Sequence, residues 1–295
     1  MRGDHIFIMA PPRSGTRMLT RALGRSPDTY LITEHKKKRI YIPEETNPTP
    51  DRQFWMQAFG LPDLPIEEVA FDPEAFAHLN ALWNAGAQGK RLVIKNPNNI
   101  VRARELRRAF PEATFVWLMR NPWAVIQSMM GGNEAGHKNP MSLGARGILK
   151  HEDPVLRAAA SWSYSVAVMN ELLQPGDVTT RYEQLVINPR QEIARVTRLL
   201  SVDISDSASE VPERRKDDFR LARYLLRRSP ARARIIETVA PFARELDYPT
   251  TPPGIPGDDR VIAARYFLTW LKRPNRRPVY GYPIMQRVSR MVRGK

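Results

Sequence analysis

The 295-residue sequence contains no cysteine. That excludes disulfides, thiolate-held zinc, iron–sulfur clusters and a cysteine nucleophile together. It also lacks any apolar run near the ~18–20 residues that a membrane-spanning helix requires. The apolar stretch Ile6–Ala10 stops at Pro11-Pro12, short of the ~7–15-residue core of a secretory signal. A soluble, cytoplasmic chain is therefore expected. Acid is missing from the C-terminal end. Residues 260–295 carry ten Lys/Arg and no Asp or Glu, so they hold most of the formal net charge of +15. What is present is a hydrophobic fraction of 42%, enough for a large core and incompatible with wholesale disorder. The length suits one large α/β domain or two small ones. The positive balance points to an anionic partner: nucleic acid, a membrane surface, or a phosphorylated or sulfated ligand.

The hydrophobic pattern alternates between strands and helices. Strands are expected at His5–Ala10, Tyr30–Thr33, Arg91–Lys95, Thr114–Met119 and Asp177–Tyr182. Helices are expected from Ser14 to Gly24, over 73–87, from Asn99 to Ala109, and from Pro122 to Met130 with Asn121 as N-cap. Further helices are expected at Leu156–Leu173, Pro189–Leu200, Arg220–Arg228 and Ala231–Glu245. Residues 36–65 and 201–218 look irregular, and Gly131–Pro154 reads as a polar, glycine-bearing lid. Such alternation predicts an α/β fold with a central parallel sheet flanked by helices. A catalytic domain over 1–250 is expected, followed by a Pro/Gly linker and the basic tail over 251–295.

Ala10-Pro-Pro-Arg13-Ser14-Gly15-Thr16-Arg17 falls between the first strand and the first helix. Backbone N–H groups and the helix dipole favour a phosphate there. Gly15 would let the backbone approach the anion, Ser14 and Thr16 add hydroxyl donors, and Arg13 adds charge. This is not a Walker loop, which needs Gly-x-x-x-x-Gly-Lys-Ser/Thr. Ala10 replaces its first glycine, Thr16 replaces its lysine, and the cation has moved to Arg13. An ordinary strand–helix turn is the plain alternative.

Arg120 ends the strand Thr114–Met119, and Ser128 lies seven residues beyond the Asn121 cap. Two helical turns put Ser128 on the face of the cap, so Arg120 and Ser128 could close on a second phosphate beyond the strand ends. Alternatively, Arg120 caps a helix or pairs with an acid.

Together these segments resemble the PAPS-dependent sulfotransferase family (PAPS is 3′-phosphoadenosine 5′-phosphosulfate), in its bacterial and tyrosylprotein branches. Pro12-Arg13-Ser14-Gly15-Thr16 is similar to the family's 5′-phosphosulfate loop, and Arg120 with Ser128, eight apart, to its 3′-phosphate pair. Arg181-Tyr182-Glu183-Gln184-Leu185 resembles its late strand motif, whose tyrosine lies near the adenine. The runs Lys95-Asn96-Pro97, Phe110-Pro111 and Arg120-Asn121-Pro122 follow in the family's order, and the likeness covers roughly residues 5 to 248. There are departures. Arg17 stands where many members have a second Thr, and Lys95-Asn96-Pro97 lacks the histidine base of the cytosolic enzymes. The tyrosylprotein branch takes a Glu 21 residues after the loop cation, and that position here is Glu34. The family's C-terminal PAPS-clamping segment has no clear counterpart.

The resemblance implies a P-loop-like three-layer fold and in-line sulfuryl transfer from PAPS to a hydroxyl acceptor, whether small molecule, glycan or lipid, with no metal. It implies a catalytic set of Arg13, Glu34 and Lys95, and a cofactor-binding set of Arg13, Ser14, Gly15, Thr16, Arg17, Arg120, Ser128 and Tyr182. Plainer roles stay open. Glu34 could pair with the lysines after it, His35 could be the base, Lys95 could be a solvated strand-end residue, and Tyr182 could be core. Trp117 and Trp162 read as core. A P-loop kinase is the rival reading, but it predicts a Walker lysine and a magnesium carboxylate that do not appear. Nucleic-acid binding is not expected, although Tyr266, Trp270, Tyr280 and Tyr282 stand among the tail's cations. An inactive relative that only binds is disfavoured by the retained Arg13 and Glu34. Met285, Val288, Met291 and Val292 with Arg287, Arg290 and Arg293 suit either a basic helix on an anionic membrane surface or one docked on the core.

Overall fold

In the computed structural model the described residues are 5–33, 73–131, 153–203 and 219–254. Glu34, His35, the 36–65 segment, most of the expected lid and the basic tail lie outside them. The chain divides into two compact units. One holds residues 1–120, 140–147 and 164–216, and the other holds 121–139, 148–163 and 217–295.

The first unit is built on a wholly parallel sheet: β1 (Ile6–Met9), β2 (Thr29–Thr33), β3 (Arg91–Lys95), β4 (Thr114–Met119) and β5 (Val178–Arg181), in the order β2-β3-β1-β4-β5. The near-continuous apolar runs Ile6–Met9 and Thr114–Met119 suit strands covered on both faces. On one face Ile6, Ile8, Val93, Val116, Leu118 and Val178 pack with α1 (Thr16–Leu23) and, later in the chain, α6 (Tyr182–Ile187) and α7 (Pro189–Leu199). Phe7 and Phe115 turn to the other face. There Phe7 meets Phe110, and Arg107 of α3 (Ala103–Ala109) lies 3.6 Å over the Phe115 ring. Helix α2 (Pro73–Ala87) completes this part of the chain. The α/β, parallel-sheet expectation is met.

Some boundaries moved for physical reasons. The first helix begins at Thr16 and not at Ser14, because Gly15 takes a left-handed conformation (φ 89°) at the N-cap. The helix expected at Asn99–Ala109 is split into a 3₁₀ turn, Pro97–Ile100, and α3. The Asn99 side chain turns into the sheet and holds that turn in place. Tyr182, expected to end the fifth strand, instead opens α6.

The second unit is helical among its described residues. It contains α4 (Pro122–Gly131), the first half of α5 (Pro154–Leu172), α8 (Arg220–Arg228) and α9 (Arg232–Glu245). Asn121 caps α4 as expected, its Oδ1 accepting from the Trp123 N–H at 2.9 Å. Asp153, inside the stretch expected as a lid, caps α5 through the N–H groups of Val155 and Leu156 and also accepts from the Ser229 hydroxyl. Gln127 of α4 accepts from the backbone N–H groups of Leu221 and Ala222 in the first turn of α8. Trp123 donates to the Pro249 carbonyl, and Trp162 sits edge-on to Tyr248. Trp162, like Trp117 in the sheet, is fully buried.

Candidate active site

From the central β1 the chain first builds β2 and β3 on one side, then crosses to build β4 and β5 on the other. Ligands of open α/β sheets bind beyond the carboxyl ends of the strands at such a switch. The Ala10–Gly15 loop leaves β1 there and turns into α1. The loop is tight: the Ser14 N–H reaches the Pro11 carbonyl at 3.3 Å, and the Met18 N–H reaches Gly15 at 2.9 Å. Ser14 is fully buried and its hydroxyl has no hydrogen-bond partner. A buried unsatisfied polar atom is rare in a folded protein. Here it lies at the head of a helix, where an anion would satisfy it. Arg13 and Arg17 are exposed beside it, and Thr16 is half-buried in the first turn.

Arg13 sits at φ 68°, a left-handed conformation that costs a non-glycine residue about 1–3 kcal/mol. Its carbonyl is held by Nη1 of Arg120 at 2.7 Å. Arg120 therefore holds the loop after β1 through its backbone, a contact that no sequence signal announces. The same guanidinium lies 4.0 Å from the centre of the Tyr182 ring, and Tyr182 in turn presses on Gly15. A Cβ at Gly15 would come within 2.4 Å of the Tyr182 Cδ2. Glycine is thus required twice, by its φ and by the ring. Arg120 and Tyr182 are both buried, and together with the loop they form one stacked assembly.

Lys95 ends β3 and is buried, so it is not the solvated strand-end lysine considered above. Its register partner on β2 is Thr33, the residue that precedes Glu34 in sequence. Glu34 and His35 themselves fall outside the described residues. Ser128 is half-buried two turns into α4, in the helical unit. The structure therefore joins Arg13, Ser14, Gly15, Arg120 and Tyr182, with Lys95 two strands from β4 in the same unit.

Two polar clusters lie apart from this loop in the sheet unit. A hollow of about 300 Å³ is lined by Gln184, Asn188, Gln191, Glu192, Arg195 and Arg198. Gln184 belongs to the late strand motif, and the other five lie outside the motifs quoted above. Within the hollow, burial pushes the Glu192 carboxyl up, but hydrogen bonds from Arg195 and Thr180 outweigh that and hold it below the usual range. Asp177, just ahead of β5, accepts from Arg107, from the Trp117 indole and from the N–H of Phe115. Both clusters serve the scaffold.

A parallel sheet with a glycine-bearing loop between its first strand and first helix defines a P-loop-like α/β fold. The profile of the Sulfotransferase family matches residues 5–206, well over half the sequence, and the chain belongs to that family. It is 22% identical over 215 residues to protein-tyrosine sulfotransferase 1 of Danio rerio, covering 68% of this chain and 54% of that one. It is 24% identical over 216 residues to protein-tyrosine sulfotransferase 2 of Gallus gallus, covering 68% and 52%. The chain thus spans about half the length of these curated relatives. Among solved structures, sulfotransferase STF9 from Mycobacterium avium superposes with a TM-score of 0.55 at 14% identity, over 84% of this chain and 78% of that one. At that identity the likeness speaks for the fold.

Proposed function

We propose that this protein transfers the sulfuryl group of PAPS to a hydroxyl acceptor, by in-line displacement with a carboxylate base. The observation that carries the reading is the buried, unpartnered Ser14 hydroxyl in the Arg13–Thr16 loop, braced by Arg120 and Tyr182. PAPS supplies an activated trioxosulfur group on a phosphate leaving group. Arg13, Ser14, Gly15, Thr16 and Arg17 would hold its 5′ end, Arg120 its 3′-phosphate, and Tyr182 would border the adenine. The transition state of such a transfer is loose, so positioning and charge stabilisation dominate. Arg13 neutralises charge that grows on the leaving phosphate oxygen. Lys95 faces the transferring group, and Glu34 takes the acceptor's proton. The relatives' names add a protein tyrosine to the small-molecule, glycan and lipid hydroxyls as acceptor classes. Incubation with PAPS and a lysate or metabolite pool, read by mass spectrometry, should give acceptors heavier by one trioxosulfur group. Phosphate transfer from ATP in the same assay would defeat the reading.

Arg120→Ala should weaken binding of adenosine 3′,5′-bisphosphate by ~10–100-fold, since a charge-assisted contact is worth roughly 1.5–3 kcal/mol. It should also erase the preference over adenosine 5′-monophosphate. Arg120→Lys should rescue little, because an ammonium cannot both fork and stack. Calorimetric titration with both nucleotides checks this, and unchanged affinities would remove Arg120 from the site.

A further inference from the structure

We propose that Asn99 is a positioning residue that sets the distance between Lys95 and the phosphate loop; the inference rests on the sulfuryl-transfer reading above. β1 pairs with β3 at Ile6↔Val93 and Phe7↔Ile94, whereas with β4 it stays paired through Met9↔Trp117. Toward their carboxyl ends the strands β1 and β3 therefore part. The sheet has two halves at the site end. β1, β4 and β5 lead into the phosphate loop, Arg120 and Tyr182, and β2 with β3 carries Lys95.

Asn99 bridges the parting. It is fully buried in the turn after β3, and its Nδ2 donates to the Ile8 carbonyl at 3.2 Å and the Ile94 carbonyl at 3.1 Å. Ile94 directly precedes Lys95, and Ile8 lies two residues before the loop begins at Ala10. Two carbonyl acceptors fix which end of the amide faces them. The other end, Oδ1, is buried without a partner, which lowers stability. An apolar side chain would avoid that penalty, so the amide is explained by the bridge and not by packing.

Each half is held by its own ladder. Losing the bridge should therefore leave the nucleotide phosphates bound and displace Lys95 from them. Misplacement by about 1 Å can lower turnover ~10²-fold. In Asn99→Ala, kcat should fall ~10–100-fold while the affinity for adenosine 3′,5′-bisphosphate stays within ~3-fold. Asn99→Asp, of the same shape but with no donor for the two carbonyls, should be at least as slow. The deciding experiment is a cycle with Lys95→Ala: in that background Asn99→Ala should change kcat by less than ~2-fold, because the group it positions is gone. Asn99→Ser, which keeps one donor, serves if the alanine variant is insoluble. Additive losses in the cycle, unchanged kcat, or bisphosphate affinity lost in step with kcat each overturn the proposal, as does insolubility of both variants. The ¹³Cε NMR signal of Lys95 in protein carrying ¹³C-labelled lysine, assigned by Lys95→Arg, gives a readout independent of turnover. It should shift in Asn99→Ala, and an unmoved signal counts against the bridge. Wild-type protein inactive with PAPS would defeat the sulfuryl-transfer reading, and the Lys95 signal would still report on Asn99.

Discussion

Glu34→Gln should lower sulfuryl transfer by ~10²–10⁴-fold, the usual contribution of a positioned general base. Glutamine keeps the shape and much of the polarity of the side chain but cannot take the acceptor's proton. Affinity for adenosine 3′,5′-bisphosphate should stay nearly unchanged, because the proposed function gives the phosphates to Arg13, Ser14 and Arg120. The choice of Glu34 as the base rests on its place in the sequence. It lies 21 residues after Arg13, and the residue before it, Thr33, pairs with Lys95 on the neighbouring strand. Steady-state kinetics with saturating PAPS checks the loss. If His35→Ala abolishes turnover while Glu34→Gln leaves it intact, the base is one residue further on.

Asp177→Ala should destabilise the protein by about 3–5 kcal/mol, the penalty for stranding a buried charge. The carboxylate is 2% exposed and 2.5 Å from Arg107, itself nearly buried. It also accepts from the N–H of Phe115 at 2.9 Å, the Trp117 indole at 3.1 Å and the N–H of Gln174 at 3.1 Å. One side chain thus fastens the entry of β5 to β4 and to α3. Without it the guanidinium keeps the Ala113 and Leu172 carbonyls and the Phe115 ring, but no balancing charge in this cluster. In urea the transition midpoint should fall with the slope unchanged. This cluster sits where β5 begins, at the end of the sheet opposite the phosphate loop. The folded fraction should still bind the nucleotide. A loss of under about 1 kcal/mol would mean that the pair is not the tie described.

What could be read in the sequence follows from how local the signals are. β3 and β4 begin and end where the apolar pattern says, because each is a short run closed by Asn or Arg. The tight turn between β1 and α1 was legible because Pro-Pro-Arg-Ser-Gly between an apolar run and a helical pattern breaks one and opens the other. Asp177 read only as the opening of a strand, since its partners Arg107, Phe115 and Trp117 are 60 or more residues away in sequence. Asn99 read as the start of a helix, because nothing local tells that β1 and β3 part and leave two carbonyls to be met. The contact of Arg120 with a backbone carbonyl is hidden for the same reason: the sequence shows a cation after a strand but not the twist at Arg13 that it holds. Gly15 was expected to admit an anion. The structure adds that Tyr182 fills the space a side chain would need.

The central claim is that this loop holds the 3′,5′-bisphosphorylated nucleotide of a sulfuryl donor and not a magnesium–nucleoside triphosphate. Calorimetric titration in the presence of a chelator tests it most directly. Adenosine 3′,5′-bisphosphate should bind with a stoichiometry of one, without added metal, and more tightly than adenosine 5′-monophosphate or ATP. Binding that appears only when Mg²⁺ is restored, or that favours ATP, would contradict the account.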